Sequence, residues 1–325
     1  PALNNIVDFA LYIAMFPQLI AGPIVRYSYI RSQLKERRES WDHFYTGILR
    51  FCWGLAKKVM IANSCGQIAD VIFSLNLELL DTKVAWLGAV AYTLQIYFDF
   101  SAYSDMAIGL GMLFGFKTPE NFNRPYSAVS VTDFWRRWHI TLSQWFRDYL
   151  YIPLGGNRRG ILRTCINMAV VCVLCGFWHG ANWTFLVWGS YHAVFLILER
   201  VSGARSIPHE KYRAVRRTIT LIIIAVGWVI FRSEDLAQSW GFLEKMFTAS
   251  DLTLSYDLIR ALNYPNLIFL MRALWVFFWP GDFSVIKILI KKHDPVALAA
   301  GALMILLLLP YCAAMIAGGA SSPFI

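Results

Sequence analysis

Eight runs of apolar residues dictate what this chain can fold into: Ile6–Val25, Ile48–Ala62, Val84–Phe116, Ile166–Trp178, Trp183–Leu198, Thr218–Phe231, Asn266–Pro280 and Val296–Ala317. A helix needs about 20 apolar residues to cross a bilayer core. Backbone polar groups in lipid must be satisfied within the spanning structure. The runs therefore predict an all-α fold, a polytopic transmembrane helical bundle with re-entrant and interfacial amphipathic helices. The chain is 57% hydrophobic and only 16% charged, too apolar for an ordinary soluble domain. Its 13 Trp and 15 Tyr suit membrane interfaces. The net charge of +9 comes from Lys and Arg concentrated between the apolar runs, as the positive-inside rule predicts. No basic patch is interleaved with stacking aromatics on a soluble module, so the expected partner is the lipid bilayer and not nucleic acid. No internal repeat and no separate soluble domain interrupts residues 1–325, which read as a single membrane-embedded domain. Six Cys lie in or beside apolar runs, where free thiols pack as small hydrophobes.

Several runs depart from a simple span. Ile6–Val25 carries Pro17 and Gly22-Pro23, which predicts a kinked or broken element. Ile48–Ala62 carries Lys57 and Lys58, which must snorkel or face protein. Val84–Phe116 is longer than one span requires and holds Asp99 and Asp105 in its middle. That predicts a broken or re-entrant element buried in protein. The commoner role for such acids is to cap backbone amides or pair with an Arg. Arg26–Arg38, Lys117–Arg163 and Arg200–Arg217 are basic and are placed in the cytoplasm. Within the second, Ser130 or Thr132 can N-cap a helix running to about Tyr149. Phe134, Trp138, Leu142, Trp145 and Tyr149 form its apolar stripe. Such a helix lies in the interface or plugs the bundle. Gly155-Gly156-Asn157 reads as a turn.

Two histidines stand out. His179 lies in Gly176-Phe177-Trp178-His179-Gly180-Ala181-Asn182-Trp183, where two apolar runs meet. A neutral imidazole there takes a proton from a hydroxyl near pH 7 and returns it later. It serves equally as a hydrogen-bonded histidine between helices, and the residues alone leave both roles open. His139 ends the cluster Phe134-Trp135-Arg136-Arg137-Trp138-His139; it is an interfacial residue or a second member of a site with His179. His192 is expected to pack or bond within the bundle. His43, His209 and His293 sit in loops and read as solvated. Cys172, Cys175 and His179 share one helix face but lack a fourth ligand, so no metal site is assigned. No nucleophile elbow surrounds Ser101, Ser104 or Ser190, and no P-loop occurs. A transporter in which Asp99, Asp105, His139 and His179 line a pathway is the competing class.

Ala21-Gly22-Pro23-Ile24, Tyr97–Asp105, Phe134–His139, Asp148–Gly156 and Gly176–Trp183 occur in this order in membrane-bound O-acyltransferases. The chain resembles that family over essentially its whole length, and within it the bacterial alginate O-acetylase group. Ser321-Ser322-Pro323-Phe324-Ile325 resembles the family's C-terminal end, and the N-terminal spans usual in the family are expected to be missing. The resemblance implies transfer of an acyl group from a cytoplasmic thioester, acetyl-CoA or a carrier-bound donor, to a hydroxyl. It implies His179 as general base and His139 as the second catalytic position, with no bound cofactor. Trp138, Trp178, Asn182 and Asp105, drawn from the matched motifs, stand as substrate-binding candidates. Implied partners are periplasmic or membrane-anchored acetyltransferases and a polysaccharide acceptor, with the chain multi-pass in a bacterial inner membrane. Peptidoglycan and teichoic acid are the alternative acceptors.

Overall fold

The computed structural model describes residues 5–15, 22–37, 39–204, 210–248, 256–278, 289 and 294–318. Among them there is no β-strand, and the all-α expectation holds. His209, His293, Pro17 and the closing residues 319–325 lie outside the described residues. The chain divides into two compact units.

The first unit draws on 1–63, 96–121 and 279–325. Helix α1 (Ile6–Ala14) starts at Asn5, whose side chain accepts the Val7 amide at 2.9 Å. The backbone over 23–26 is not helical, so Ile6–Val25 is not one straight helix. After α2 (Tyr27–Glu36), α3 (Trp41–Ala56) is capped by Ser40 and runs directly into a π-helical stretch, Lys57–Ala62. The lysines face protein: Lys58 Nζ lies 2.8 Å from Asp99 and Lys57 Nζ 2.6 Å from Asp105. Arg50 adds a second bond to Asp105, at 2.9 Å.

These ion pairs explain a correction. Thr82–Leu113 is one continuous helix of 32 residues, α5, and not a broken or re-entrant element. Its two acids meet cations from the side, so its backbone has no need to open. The pairing role weighed for Asp99 and Asp105 is the one the geometry supports. The last helix of this unit (Pro295–Ala317, α14 in chain order) packs on α3. Tyr45 donates to the Leu298 carbonyl at 3.0 Å, and Cys312 is buried against Ala56 and Val59.

The second unit draws on 64–95 and 122–278. It contains α4 (Asn63–Phe73) from Ser64 onward, the first turns of α5, α6 (Val131–Arg137) and α7 (Ile140–Phe146). It then holds α8 (Gly160–His179), α9 (Trp183–Val201), α10 (Arg213–Arg232), α11 (Leu236–Phe247), α12 (Tyr256–Ala261) and α13 (Tyr264–Phe278). Helices α8, α10 and α14 are each long and apolar enough to cross a membrane. Helices α8 and α9 form the most extensively packed pair among the described residues. Gly189 makes this possible: a Cβ there would run into the Cys172 carbonyl of α8. Small residues permit such backbone approach between membrane helices. Buried Asn167 on α8 donates to the Leu154 and Gly156 carbonyls, at 3.2 and 3.0 Å. It thereby pins the Gly155-Gly156 turn, whose φ angles of 105° and 55° need glycine.

The helix expected from Ser130 to Tyr149 is not continuous. Ser130 does cap it, accepting the Asp133 amide at 3.0 Å. The chain then breaks at Trp138-His139, resumes as α7, and ends in a π-helical turn, Arg147–Tyr151. The break splits the apolar stripe. Phe134, Trp138 and Leu142 are buried, while Trp145 and Tyr149 are exposed. The first half packs inside the unit, against α9 and α10.

Candidate active site

Helix α6 is anchored at its start by a residue 68 positions further on. Glu199 of α9 accepts the Val131 amide at 2.6 Å and the Thr132 amide at 2.9 Å. A carboxylate at a helix N-terminus satisfies orphan donors and meets the positive end of the dipole. At the other end of α6, Trp138 is extended and His139 turns left-handed, with φ 41° and ψ 56°. That conformation costs a non-glycine residue about 1–2 kcal/mol. Such strain collects at functional sites. Two bonds brace the corner: Ser143 N–H donates to the His139 carbonyl at 3.0 Å, and Ser143 Oγ donates to the Trp135 carbonyl at 3.2 Å.

The corner drives His139 into the interior, where it is only 5% exposed. Burial, with a smaller contribution from the neighbouring His179, pushes its pKa down to about 3. The ring is therefore neutral at physiological pH.

His179 is the last residue of α8. Its ring meets aromatic rings on several sides, with centroids at 4.9 Å for Trp178, 5.3 Å for Trp188 and 5.1 Å for Phe231. Trp188 continues the wall by stacking on Trp228 at 5.9 Å, and Trp228 meets Trp138 at 4.9 Å. Beside them lies a cavity of about 190 Å³, which Trp138 and Trp188 line. His139, His179 and His192 all line it, together with Trp135, Trp138 and Trp188. Cys172 and Cys175 line it too, so the helix face read from their spacing with His179 is real. The described residues hold no group of three or more metal-ligating side chains. A second cavity, of about 480 Å³, shares Trp135, Ser143 and Cys172 with the first and adds Arg136, Gln144, Arg147 and Tyr151.

A buried, neutral His139 and a His179 ringed by aromatics, lining one largely apolar cavity, suit proton transfer to and from a substrate hydroxyl. The family model for the membrane-bound O-acyltransferases matches residues 3–233. The chain belongs to this family. It is 50% identical over 261 residues to the probable alginate O-acetylase AlgI of Azotobacter vinelandii, covering 80% of this chain and 52% of that protein. It is 40% identical over 270 residues to the peptidoglycan O-acetyltransferase of Helicobacter pylori, covering 82% and 51%. It is 33% identical over 254 residues to the teichoic acid D-alanyltransferase of Bacillus subtilis, covering 70% and 61%. The chain spans about half the length of the first two relatives.

In this member of the family the other candidate residues fall differently. Trp138 is buried and lines the cavity. Trp178 is 55% exposed and meets both histidines, its ring centroid 6.5 Å from that of His139 and 4.9 Å from that of His179. Asn182 caps α9 through the Thr184 amide and donates to the Glu234 carbonyl at 2.7 Å, which is a structural tie. Asp105 belongs to the first unit and is held by Arg50 and Lys57. Two residues that border or position the site had no motif to mark them: Glu199, which no sequence feature singled out, and His192, expected to pack or bond within the bundle.

Proposed function

We propose that this chain is the membrane-embedded part of an O-acetyltransferase. It moves an acetyl group from a cytoplasmic thioester towards hydroxyls of an exported, alginate-type polysaccharide. The observation that carries this reading is the placement of His179 and His139 on one aromatic-walled cavity. His179 is the general base. It takes the proton of the acceptor hydroxyl as that oxygen attacks the acyl carbon. A C–O bond forms, the C–S bond breaks, and the imidazolium returns its proton to the departing thiolate. Neutral His139 orients or polarises the substrate. Walls of Trp135, Trp138 and Trp188 offer water few hydrogen-bonding partners, which favours transfer over hydrolysis.

The donor is acetyl-CoA or a carrier-bound acyl thioester, and no bound cofactor enters the scheme. Arg136 and Arg147, on the adjoining larger cavity, supply positive charge for either anionic donor. The protein works as a multi-pass component of a bacterial inner membrane, with periplasmic or membrane-anchored acetyltransferase partners. The relatives named for peptidoglycan and teichoic acid support those polymers as alternative acceptors. The ion pairs of Asp99 and Asp105 weigh against a transport pathway built on those acids.

The test is the polymer-bound acetyl content of cells carrying full-length wild type or His179→Ala at matched membrane levels. Loss of acetyl groups is expected. Unchanged acetylation would overturn the assignment of His179 as base.

A further inference from the structure

Two indoles of the second unit have an acceptor. Trp228 Nε1 donates to the Tyr126 hydroxyl at 3.1 Å, and Trp86 Nε1 donates to the Met246 carbonyl at 2.8 Å. Two others differ: Trp135 Nε1 and Trp188 Nε1 are buried with no hydrogen-bond partner among the described residues. So are both ring nitrogens of His192, a residue only 2% exposed. All three side chains line the cavity that holds His179 and His139. They also touch one another. The His192 ring lies 5.0 Å from Trp135 and 5.2 Å from Trp188, both edge to face. Trp188 is in turn 5.3 Å from His179.

Leaving a buried donor or acceptor unmet is unfavourable. The Nε2 of His192 lies against α10 at Gly227, where a Cβ would come within 2.8 Å of it. Gly227 thus leaves room for the imidazole, while the site offers it no bond. The chemistry of the three groups identifies their complement. An indole N–H is a donor only, and a neutral imidazole adds one donor and one acceptor. Three donors against one acceptor match a ligand atom that accepts, and neither an alkyl chain nor a cation.

We infer that Trp135, Trp188 and His192 form the wall that receives the acyl carbonyl oxygen, and that His192 is a further catalytic residue contacting it. This rests on the acyl-transfer reading given above. As the acceptor oxygen adds to the carbonyl carbon, the carbonyl π pair moves onto its oxygen. That negative charge is held by the wall until the C–S bond breaks and the pair returns. Donors preorganised in a dry site stabilise this charge far better than water does. His179 handles the proton and His192 the oxygen, so the two histidines divide the reaction between them.

The experiment compares full-length wild type, His192→Leu, His192→Gln and His179→Ala in cells at matched membrane levels. Polymer-bound acetyl is measured, and the melting temperature of each purified protein is recorded. His192→Leu removes two unbonded nitrogens at similar volume. It is expected to keep or raise the melting temperature while lowering acetylation at least tenfold. His192→Gln restores a donor and is expected to recover much of the loss. Wild-type acetylation by His192→Leu overturns the inference. So does a loss matched by a lower melting temperature that His192→Gln does not rescue, which would mark a packing residue. Failure of the underlying reading looks different: His179→Ala would then acetylate normally, whatever His192 does.

Discussion

Glu199 Oε1 accepts the amide of Val131 at 2.6 Å, tying the C-terminal turn of α9 to the first residue of α6. Its other oxygen takes the Thr132 amide. The bond matters because α6 has only seven residues and delivers His139 directly after its last turn. Helix α9 carries Trp188 and His192, so one carboxylate registers two walls of the cavity against each other.

Glu199→Ala leaves two amides at the start of α6 without their acceptor. A lost cap of this kind costs about 1–2 kcal/mol, somewhat more when the acceptor is charged. The expected result is a melting temperature several degrees lower and a fall in polymer acetylation larger than the fall in protein level. Glu199→Gln, which keeps one acceptor oxygen, is expected to lie between the two. Acetylation that merely tracks abundance in both variants would reduce Glu199 to a general stabiliser.

The left-handed backbone at His139 separates its two roles, geometric and chemical. Asn adopts this conformation readily, whereas a β-branched residue does so only as an outlier. His139→Asn is expected to fold with wild-type stability and to keep part of the acetylation activity. His139→Val is expected to lose both, with roughly 1–2 kcal/mol of added strain. Equal melting temperatures for the two would show that the corner tolerates rearrangement.

Neutral, buried His139 also makes a pH signature. Its folded pKa, about 3, lies below the value of about 6.5 expected unfolded. Above pH 6.5 neither state binds the proton, and the full stability is present. Below it only the unfolded chain takes up the proton, so stability falls as the medium is acidified. Between pH 7.5 and 5.5 this amounts to roughly 1.4 kcal/mol. Melting temperatures of the detergent-purified protein are expected to drop over that interval, and to drop less in His139→Asn.

Sequence patterns reveal features that repeat or break locally, and hide those that join distant segments. The apolar runs marked α8, α10 and α14, and the Ser130 cap was visible from its spacing to the stripe. His179 was conspicuous because an ionisable residue interrupts apolar sequence. The continuity of α5 was not legible, since Asp99 and Asp105 are paired with Lys58 and Lys57, about 40 to 50 positions away. The break at His139 was equally hidden: no Gly or Pro marks it, and tertiary packing imposes it. His192 looked like core because burial and aromatic neighbours are what a core histidine has. Only its unbonded nitrogens set it apart, and those exist in three dimensions alone.

The Lys58–Asp99 pair, with side chains 6% and 2% exposed, makes a sharp prediction about the first unit. Removing one partner strands a buried charge, at a cost of roughly 3–5 kcal/mol, whereas replacing both with apolar residues is often neutral. Asp99→Leu alone is expected to deplete the protein from the membrane. Asp99→Leu combined with Lys58→Met is expected to restore its level. Comparable depletion in single and double variants would mean that each residue makes other essential bonds.

The last prediction concerns the contact on which the cavity depends. At Gly189 a side chain would meet the Cys172 carbonyl, which is backbone and cannot swing aside. Gly189→Ala must therefore push α9 away from α8, and overpacking of this kind costs about 1–3 kcal/mol. Since Cys172, Trp188 and His192 flank that contact and line the cavity, the shift displaces its walls as well. Gly111→Ala in α5 is the internal comparison. A Cβ there makes only ordinary contact, 3.5 Å from Thr118, and alanine is worth up to about 1 kcal/mol over glycine in a helix. Gly189→Ala is expected to lower both melting temperature and acetylation, and Gly111→Ala to leave acetylation intact with equal or better stability. If Gly189→Ala behaves like Gly111→Ala, the two helices are free to separate without disturbing the cavity, and the close backbone approach is not what shapes it.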